Sequence, residues 1–450
     1  MSARVKNMTQ GRPLGLIVGF ALPLMLGNVF QQLYTVVDTM VVGKALGVDA
    51  LAALGAVDWF YWLVLGLIQG VTQGFGILIA KDFGAQQIDQ LRRVIANSAV
   101  LSVFVAAFML VLSQLAAAPV LRLLNTPERV IGDSMLYVRI MFGGIPIVVS
   151  YNLLSTILRS LGDSRTPLTA MILASLTNIA LDLLFVMVFR WGIAGAAAAT
   201  LLAQGCSCVF CLIRLIRIEF LKLKKEHWRM QARLSGRLLG LGAPLAMQNV
   251  LIACGGMIIQ NVVNGYGVSF LAGFTATNKL FGLLEIAAVS YGYAMTTYTG
   301  QNLGAGKPDR IRRGMGAALL VALLTSGAIC AFMLLLGKGI LSLFLSGSPE
   351  EVATAMDVAY RYLATMSICL PILYVLHVMR SCLQGMENTL IPLVSGIVEF
   401  CMRTGLVLVL PGVMGENGIF LAEVSAWIGA DLILVPGCLA VLASVRRWFR

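Results

Sequence analysis

Apolar residues in this chain come in long continuous runs that do not alternate with polar ones. Twelve such runs are centred near residues 28, 66, 104, 146, 179, 204, 251, 285, 325, 370, 401 and 430. A helix needs about 20 apolar residues to cross the hydrocarbon core of a bilayer, and the runs suit that length. Strands of a membrane barrel alternate in polarity, so the continuity of the runs excludes that architecture. The first run begins near Leu14 and continues to about Val42. That is too long for the core of a signal peptide, and it reads as the first span. The pattern predicts an all-α integral membrane protein of twelve transmembrane helices.

The runs fall into two related sets of six. Pro23 aligns with Pro244 and Asn28 with Asn249, about 221 positions further on. The segment FGAQQIDQLRR (83–93) lies over LGAGKPDRIRR (303–313). There Gly84, Ala85, Asp89, Arg92 and Arg93 match Gly304, Ala305, Asp309, Arg312 and Arg313 at an offset of 220. Pro146, Leu158 and Pro167 match Pro371, Leu383 and Pro392 at an offset of 225, and GIAGAAAATLLA (192–203) lies over GIFLAEVSAWIG (418–429). Six spans is an even number, so both copies enter the membrane from one side and the pseudo-twofold axis runs along the membrane normal. Two copies of one unit suggest two lobes with a cavity between them, the layout of a transporter. The paired prolines lie inside spans, where each removes a backbone hydrogen bond and invites a bend; Pro23 and Pro244 do so in the first helix of each lobe.

Composition agrees with lipid as the solvent. Hydrophobic residues make up 59% of the chain and charged residues 12%, against roughly 25% charged in a soluble domain. The net charge of +12 raises the question of nucleic acid. Its distribution answers it: 24 of the 33 Lys and Arg fall in one alternating set of connections and five in the opposite set. That is the positive-inside bias, which places both termini in the cytoplasm of a multi-pass cell-membrane protein and needs no nucleic acid. The longest hydrophilic stretch, about 214–237, reads as a cytoplasmic amphipathic linker (216–235) with Ile216, Phe220 and Leu223 on the membrane surface. It separates an N-lobe (1–215) from a C-lobe (236–450). All nine cysteines lie from Cys206 onward and within spans. The spacing of Cys206, Cys208 and Cys211 does not converge on one helix face, so they read as packing residues rather than metal ligands.

Ionisable residues inside a membrane are costly and mark functional sites. The N-lobe reading singles out Asp38 in span 1 and Asp182 in span 5, with Asn178 one turn before Asp182 on the same face and Thr200 in span 6. Two carboxylates, an amide and a hydroxyl are hard oxygen donors for a small cation such as Na+. Equally, one proton shared between the carboxylates would relieve their repulsion. The C-lobe positions matching Asp38 and Asp182 are Ile259 and about Leu408, so the acid pair is not duplicated and coupling is expected in the N-lobe. The C-lobe has its own set: Glu285, His377, Arg380, Glu399, Arg403 and Asp431. Glu399 and Arg403, four apart, are expected to form an ion pair, while Glu285 is left with Lys279 or His377 as partner, or with a cationic ligand. Tyr34, Met257 and Tyr291 belong to a wider set of aromatics and methionines that suit flat apolar cations. The substrate-cavity candidates are therefore Tyr34, Met257, Glu285, Tyr291 and His377. No G-x-x-x-x-G-K-[ST] loop is present, so energy must come from an ion gradient or a partner protein. Nor does the sequence show the clustered His, Cys or Ser dyads of a membrane enzyme.

Four segments together resemble the multidrug and toxic compound extrusion (MATE) family: PLMLGNVFQQLYTVVDTMVVGKALG (23–47), LRSLGDSRTPL (158–168), NIALDLLFV (178–186) and GQNLGAGKPDRIRR (300–313). The resemblance covers essentially the whole chain. It implies a twelve-helix, two-lobe, V-shaped exporter of organic cations driven by inward flow of protons or sodium ions, with no cofactor, acting as a monomer. The acid pair looks most like the DinF-like branch. In that branch Asp38, Asn178, Asp182 and Thr200 match the coupling-ion cluster. Pro23, Tyr137 and Asn152 match residues that bend helix 1 and complete its hydrogen-bond network. The NorM-like branch carries a glutamate soon after the helix-7 proline, where this chain reads PLAMQNVLI without an acid. Alternatives are a lipid-linked oligosaccharide flippase of the same superfamily, for which intramembrane basic residues are few (Arg139, Lys279, Arg361, Arg380, Arg403), and a non-transporting membrane scaffold or receptor.

Overall fold

Lipid offers no partner for a bare backbone amide, so each apolar run folds into a helix that satisfies its own backbone. A computed structural model describes residues 5–124, 126–345 and 348–449. It contains α1 (Pro13–Leu46), α2 (Val48–Gly84), α3 (Ile88–Leu123), α4 (Glu128–Gly143), α5 (Ile145–Ser160), α6 (Arg165–Asp182), α7 (Gly192–Ile216), α8 (Ala232–Asn264), α9 (Val268–Gly304), α10 (Pro308–Leu341), α11 (Pro349–Gly385), α12 (Leu390–Met414) and α13 (Asn417–Trp448). Ten of these are long and apolar enough to cross a membrane, and α4 with α5 makes an eleventh span bent by 47°. The bend falls where Gly143, Gly144 and Pro146 interrupt the helical ladder. The twelfth expected span is α9, 37 residues long. It falls outside the apolar set because it carries Lys279 and Glu285 among many hydroxyl and amide side chains.

The chain divides into two compact units, Met1–Asn7 with Leu22–Ala246, and Met8–Ala21 with Met247–Arg450. In the first unit an apolar core joins α2, α3, α5 and the early part of α8, with Phe75, Ile79, Phe83, Val94, Leu158 and Leu238 buried in it. Here α8 lies against α2 with almost no side chain between them. A Cβ on Gly70 would meet the backbone of Ala246 at 2.3 Å, and one on Gly74 would meet Gly242 at 2.3 Å. This is the small-residue packing that lets membrane helices approach closely.

The linker follows the same core. Phe220 stacks on Phe83 at 6.0 Å, and Arg92 Nε donates to the Phe220 carbonyl at 2.9 Å. His227 is buried, with Nε2 3.0 Å from Asp89 Oδ1. Asn97 Oδ1 accepts from the Gln231 amide at 3.0 Å. Of the three residues expected at the membrane surface, Phe220 and Leu223 pack in part on this core and Ile216 stays open, at 67% exposed. Burying a phenyl ring against Phe83 removes it from water as well as lipid would.

In the second unit the loop after α9 holds the residues that lead into α1. Gln301 Oε1 accepts from the Met8 amide at 2.8 Å. Asn302 Nδ2 donates to the Met8 carbonyl at 3.2 Å, Arg310 to those of Met8 and Gly11 at 3.3 and 3.0 Å, and Lys307 to that of Thr9 at 3.2 Å.

The internal repeat is visible in the backbone. Positive φ occurs at Gly47 and Gly267, at Gln86 and Gly306, and at Gly162 and Glu387, pairs that stand at the offsets of 220 and 225 read from the sequence. The close approach of α2 and α8 has a direct test. Gly74→Ala is expected to lower the melting temperature of the purified protein through overpacking worth about 1–3 kcal/mol. Gly55→Ala, where an added Cβ meets open space on the same helix, should leave it unchanged or raise it. Equal melting temperatures for the two variants would contradict the packing.

Candidate functional site

The first unit gathers polar side chains from five helices that are otherwise apolar. α1 contributes Tyr34 and Asp38, one turn apart, and α6 contributes Asn178 and Asp182 at the same spacing. α7 adds Thr200 and Gln204, α4 adds Tyr137, and α2 adds Asp58 and Tyr61. The carboxylates of Asp38 and Asp182 lie within hydrogen-bonding reach of each other. Asp182 and Asn178 are enclosed, at 0% and 1% exposed. Asn178 Nδ2 donates to Thr200 Oγ1 at 3.4 Å, and Thr200 in turn donates to the Ala196 carbonyl at 3.1 Å. Both oxygens of Asp182, Asp38 Oδ1 and Asn178 Oδ1 are buried without a hydrogen-bond donor. Immediately after Asp182 the helix widens into a π-helical turn over Leu183–Val188, an irregularity that recurs at functional sites.

Four oxygens without donors, three of them on the two carboxylates, form a site of net negative charge among apolar helices. A proton or a small hard cation satisfies such a set, and a neutral apolar group does not. Among the described residues no group of three or more His, Cys, Asp or Glu assembles as a transition-metal centre. The cysteines are all free thiols, and Cys206, Cys208 and Cys211 range from exposed to buried.

The remaining expected residues fall in different places. Tyr34 lies within electrostatic reach of Asp38, Asp182 and Tyr61, and Tyr137 within reach of Asp38, Tyr61, Asp58 and Tyr34, so both border the acid pair. Asn152 donates to the Val148 carbonyl one turn back in α5 at 2.8 Å, and no described bond joins it to the acids. Pro23 lies inside an unbroken α1, next to Leu22, where the helix passes from one compact unit to the other. The sequence reading missed Asp58, which lies inside the apolar span Ala52–Gly84 and within reach of Asp38. The signal was an aspartate in GAVDWFYW, a charge set among aromatics near the start of a span.

In the second unit the charges close on one another. Glu399 accepts from Arg380 at 2.8 Å and from Arg403 at 2.9 Å, and Arg403 also pairs with Glu423 at 2.9 Å, all four groups being largely buried. The expected Glu399–Arg403 pair is present, but it is part of a network that sequence spacing alone did not show, and Glu423 is new to it. Asp431 borders this network, within reach of Arg380 and Glu399. Glu285 lies beside His377 at 3.4 Å, one of the partners open to it from the sequence. Tyr291 is enclosed, its hydroxyl 2.9 Å from Thr325 Oγ1, and Met257 is half-buried on α8. Removing the central acid of the network strands the buried Arg380 guanidinium and leaves Arg403 with Glu423 alone. Glu399→Gln is expected to destabilise the protein by about 3–5 kcal/mol, read as a large fall in melting temperature. A fall no larger than that of a surface substitution would show that the network carries no structural weight.

Long lipid-compatible helices with a polar site among them are the build of a polytopic membrane transporter. Residues 23–184 and 244–408 each match the MatE family, and the chain belongs to it. It is 32% identical over 421 residues to the Probable multidrug resistance protein YpnP of Bacillus subtilis, covering 92% of each chain. It is 26% identical to the DNA damage-inducible protein F of Escherichia coli over 72% of each chain. The fold matches a solved outward-facing multidrug resistance MATE family transporter of the MOP superfamily with a TM-score of 0.91, 22% identity and 99% coverage of each chain.

Proposed function

We propose that this protein is a secondary antiporter that exports organic cations in exchange for protons or sodium ions bound at Asp38 and Asp182. The observation that carries the proposal is the facing carboxylate pair, three of whose four oxygens are buried without a donor among the described residues. Asn178 and Thr200 complete the oxygen set, and the Na+ or proton is cargo at that site rather than a resident cofactor. Tyr34 and Tyr137 border it, and Pro23 provides the point at which α1 bends during the cycle. The charge bias places both termini in the cytoplasm, and one chain contains the whole ion site, consistent with a monomer. YpnP is described as a probable multidrug resistance protein, which fits a broad cationic substrate range. A flippase for pyrophosphate-linked lipids needs free basic groups, whereas Arg361, Arg380 and Arg403 are each paired with carboxylates.

Asp38→Asn and Asp182→Asn are each expected to abolish ion-driven efflux of a dye such as ethidium while the variants still fold and purify. Normal efflux in both would overturn the coupling assignment. Proteoliposomes with proton and sodium gradients imposed separately decide the ion, because only the coupled gradient drives dye accumulation.

A further inference from the structure

Asp58 has a property that neither member of the acid pair shares. It lies in the membrane-spanning part of α2, is exposed, and has no ion pair or hydrogen bond among the described residues. A charge at membrane depth faces the protein interior or a water-filled space rather than lipid tails. Asp58 also lies within electrostatic reach of Asp38 on α1 and of Tyr137 on α4. Tyr137 in turn lies within reach of Tyr34 and Tyr61, so aromatic groups share this neighbourhood.

The second repeat shows what the same position looks like when it is purely structural. At the offset of 220, Asp58 corresponds to Asn278, and at the offset of 225, Tyr137 corresponds to Tyr362. There Tyr362 is 2% exposed and donates to Asn278 Oδ1 at 3.0 Å, so a neutral amide is capped and closed by its tyrosine. In the first repeat the amide is a carboxylate, and it is open. Asp38, within reach of it, faces the enclosed Asp182, whose two oxygens are unpartnered, and Asn178 Oδ1 is likewise buried without a donor.

We infer that Asp58 is the carboxylate that binds the organic cation, with Tyr137, Tyr34 and Tyr61 supplying aromatic faces. It is separate from the enclosed pair that carries the coupling ion. This rests on the antiporter reading and assigns its substrate anchor. The division follows from access and size. Asp182 is enclosed and Asp38 half-buried, which suits a proton or a bare ion, whereas a flat cation of drug size needs an open carboxylate beside aromatic rings. Nearness of Asp58 to Asp38 also gives the two cargoes a physical link. A cation at Asp58 and a cation at the pair repel, so loading one favours release of the other.

The test uses the full-length protein in lipid nanodiscs and proteoliposomes, with ethidium and tetraphenylphosphonium as probes. Asp58→Asn and Asp58→Ser are expected to weaken binding of both cations by roughly tenfold, from the loss of one partly screened charge contact. Asp58→Glu should stay near wild type. In transport, the loss should appear as a raised KM rather than a lowered maximal rate, unlike the complete loss expected at Asp38 and Asp182. Unchanged binding in Asp58→Asn overturns the role of Asp58 and leaves the antiporter reading standing. So does an unchanged KM with a collapsed rate, which would place Asp58 in ion coupling, or a loss in Asp58→Glu equal to that in Asp58→Asn. Wild-type protein that binds neither probe overturns the organic-cation reading itself, and the anchor with it.

Discussion

Two carboxylates cannot face each other in a lipid-solvated bundle unless a proton or a cation stands between them. Asp38 and Asp182 are in that position, and the surroundings leave the requirement unmet by the protein. Thr200 engages the amide nitrogen of Asn178 and leaves its carbonyl oxygen without a donor. No arginine or lysine forms an ion pair with either acid among the described residues. A permanent cationic partner would stabilise the pair and silence it. Leaving it unsatisfied keeps the occupant exchangeable, which an ion-coupled cycle requires.

The second unit solves the same electrostatic problem in the opposite way. Glu399 lies between two guanidiniums, Arg403 bridges to Glu423, and the charges are met within the protein. Such a network specifies the packing of α11, α12 and α13 at the cost of desolvation, and it has no vacancy for an ion. His377 beside Glu285, and Tyr362 closed onto Asn278, extend the same tendency. The charges around Glu399 are paired within the protein, whereas those of Asp38 and Asp182 are not, and Asp431 Oδ1 is the second unit's own buried carboxylate oxygen without a donor among the described residues.

Much of this was legible in the sequence. The helices, the duplication and the Asp38–Asn178–Asp182–Thr200 group follow from apolar run length, from matched residues at a constant offset, and from the rarity of acids in lipid. The Glu399–Arg403 pair follows from helical spacing. What escaped was set by contacts between distant segments. Arg380 reaches Glu399 from another helix, and Glu423 reaches Arg403 from a third, which no local spacing announces. Asp58 escaped because a charge near the start of an apolar run reads as a boundary residue until its neighbours across the bundle are known. The packing of the linker on protein was hidden for a similar reason. Its apolar residues do seek a dry surface, but that surface is Phe83 and the core beneath it.

The duplicated loop motif gains a physical meaning from these distant contacts. FGAQQIDQLRR and LGAGKPDRIRR each hold the segment that precedes a first helix. Arg92 and Asp89 hold the linker ahead of α8, while Lys307 and Arg310 hold Thr9, Met8 and Gly11 ahead of α1. In both cases the segment held belongs to the other repeat. The compact units follow this exchange: α1 changes unit at Leu22 and α8 at Met247, each within three residues of a paired proline. A proline there leaves one backbone hydrogen bond unmade and lowers the resistance of the helix to bending. The side chains that make the ties differ, since Lys307 and Arg310 stand where the first copy has Gln87 and Gln90. What the copies share is the place of the tie, a loop ahead of a first helix whose proline follows inside it.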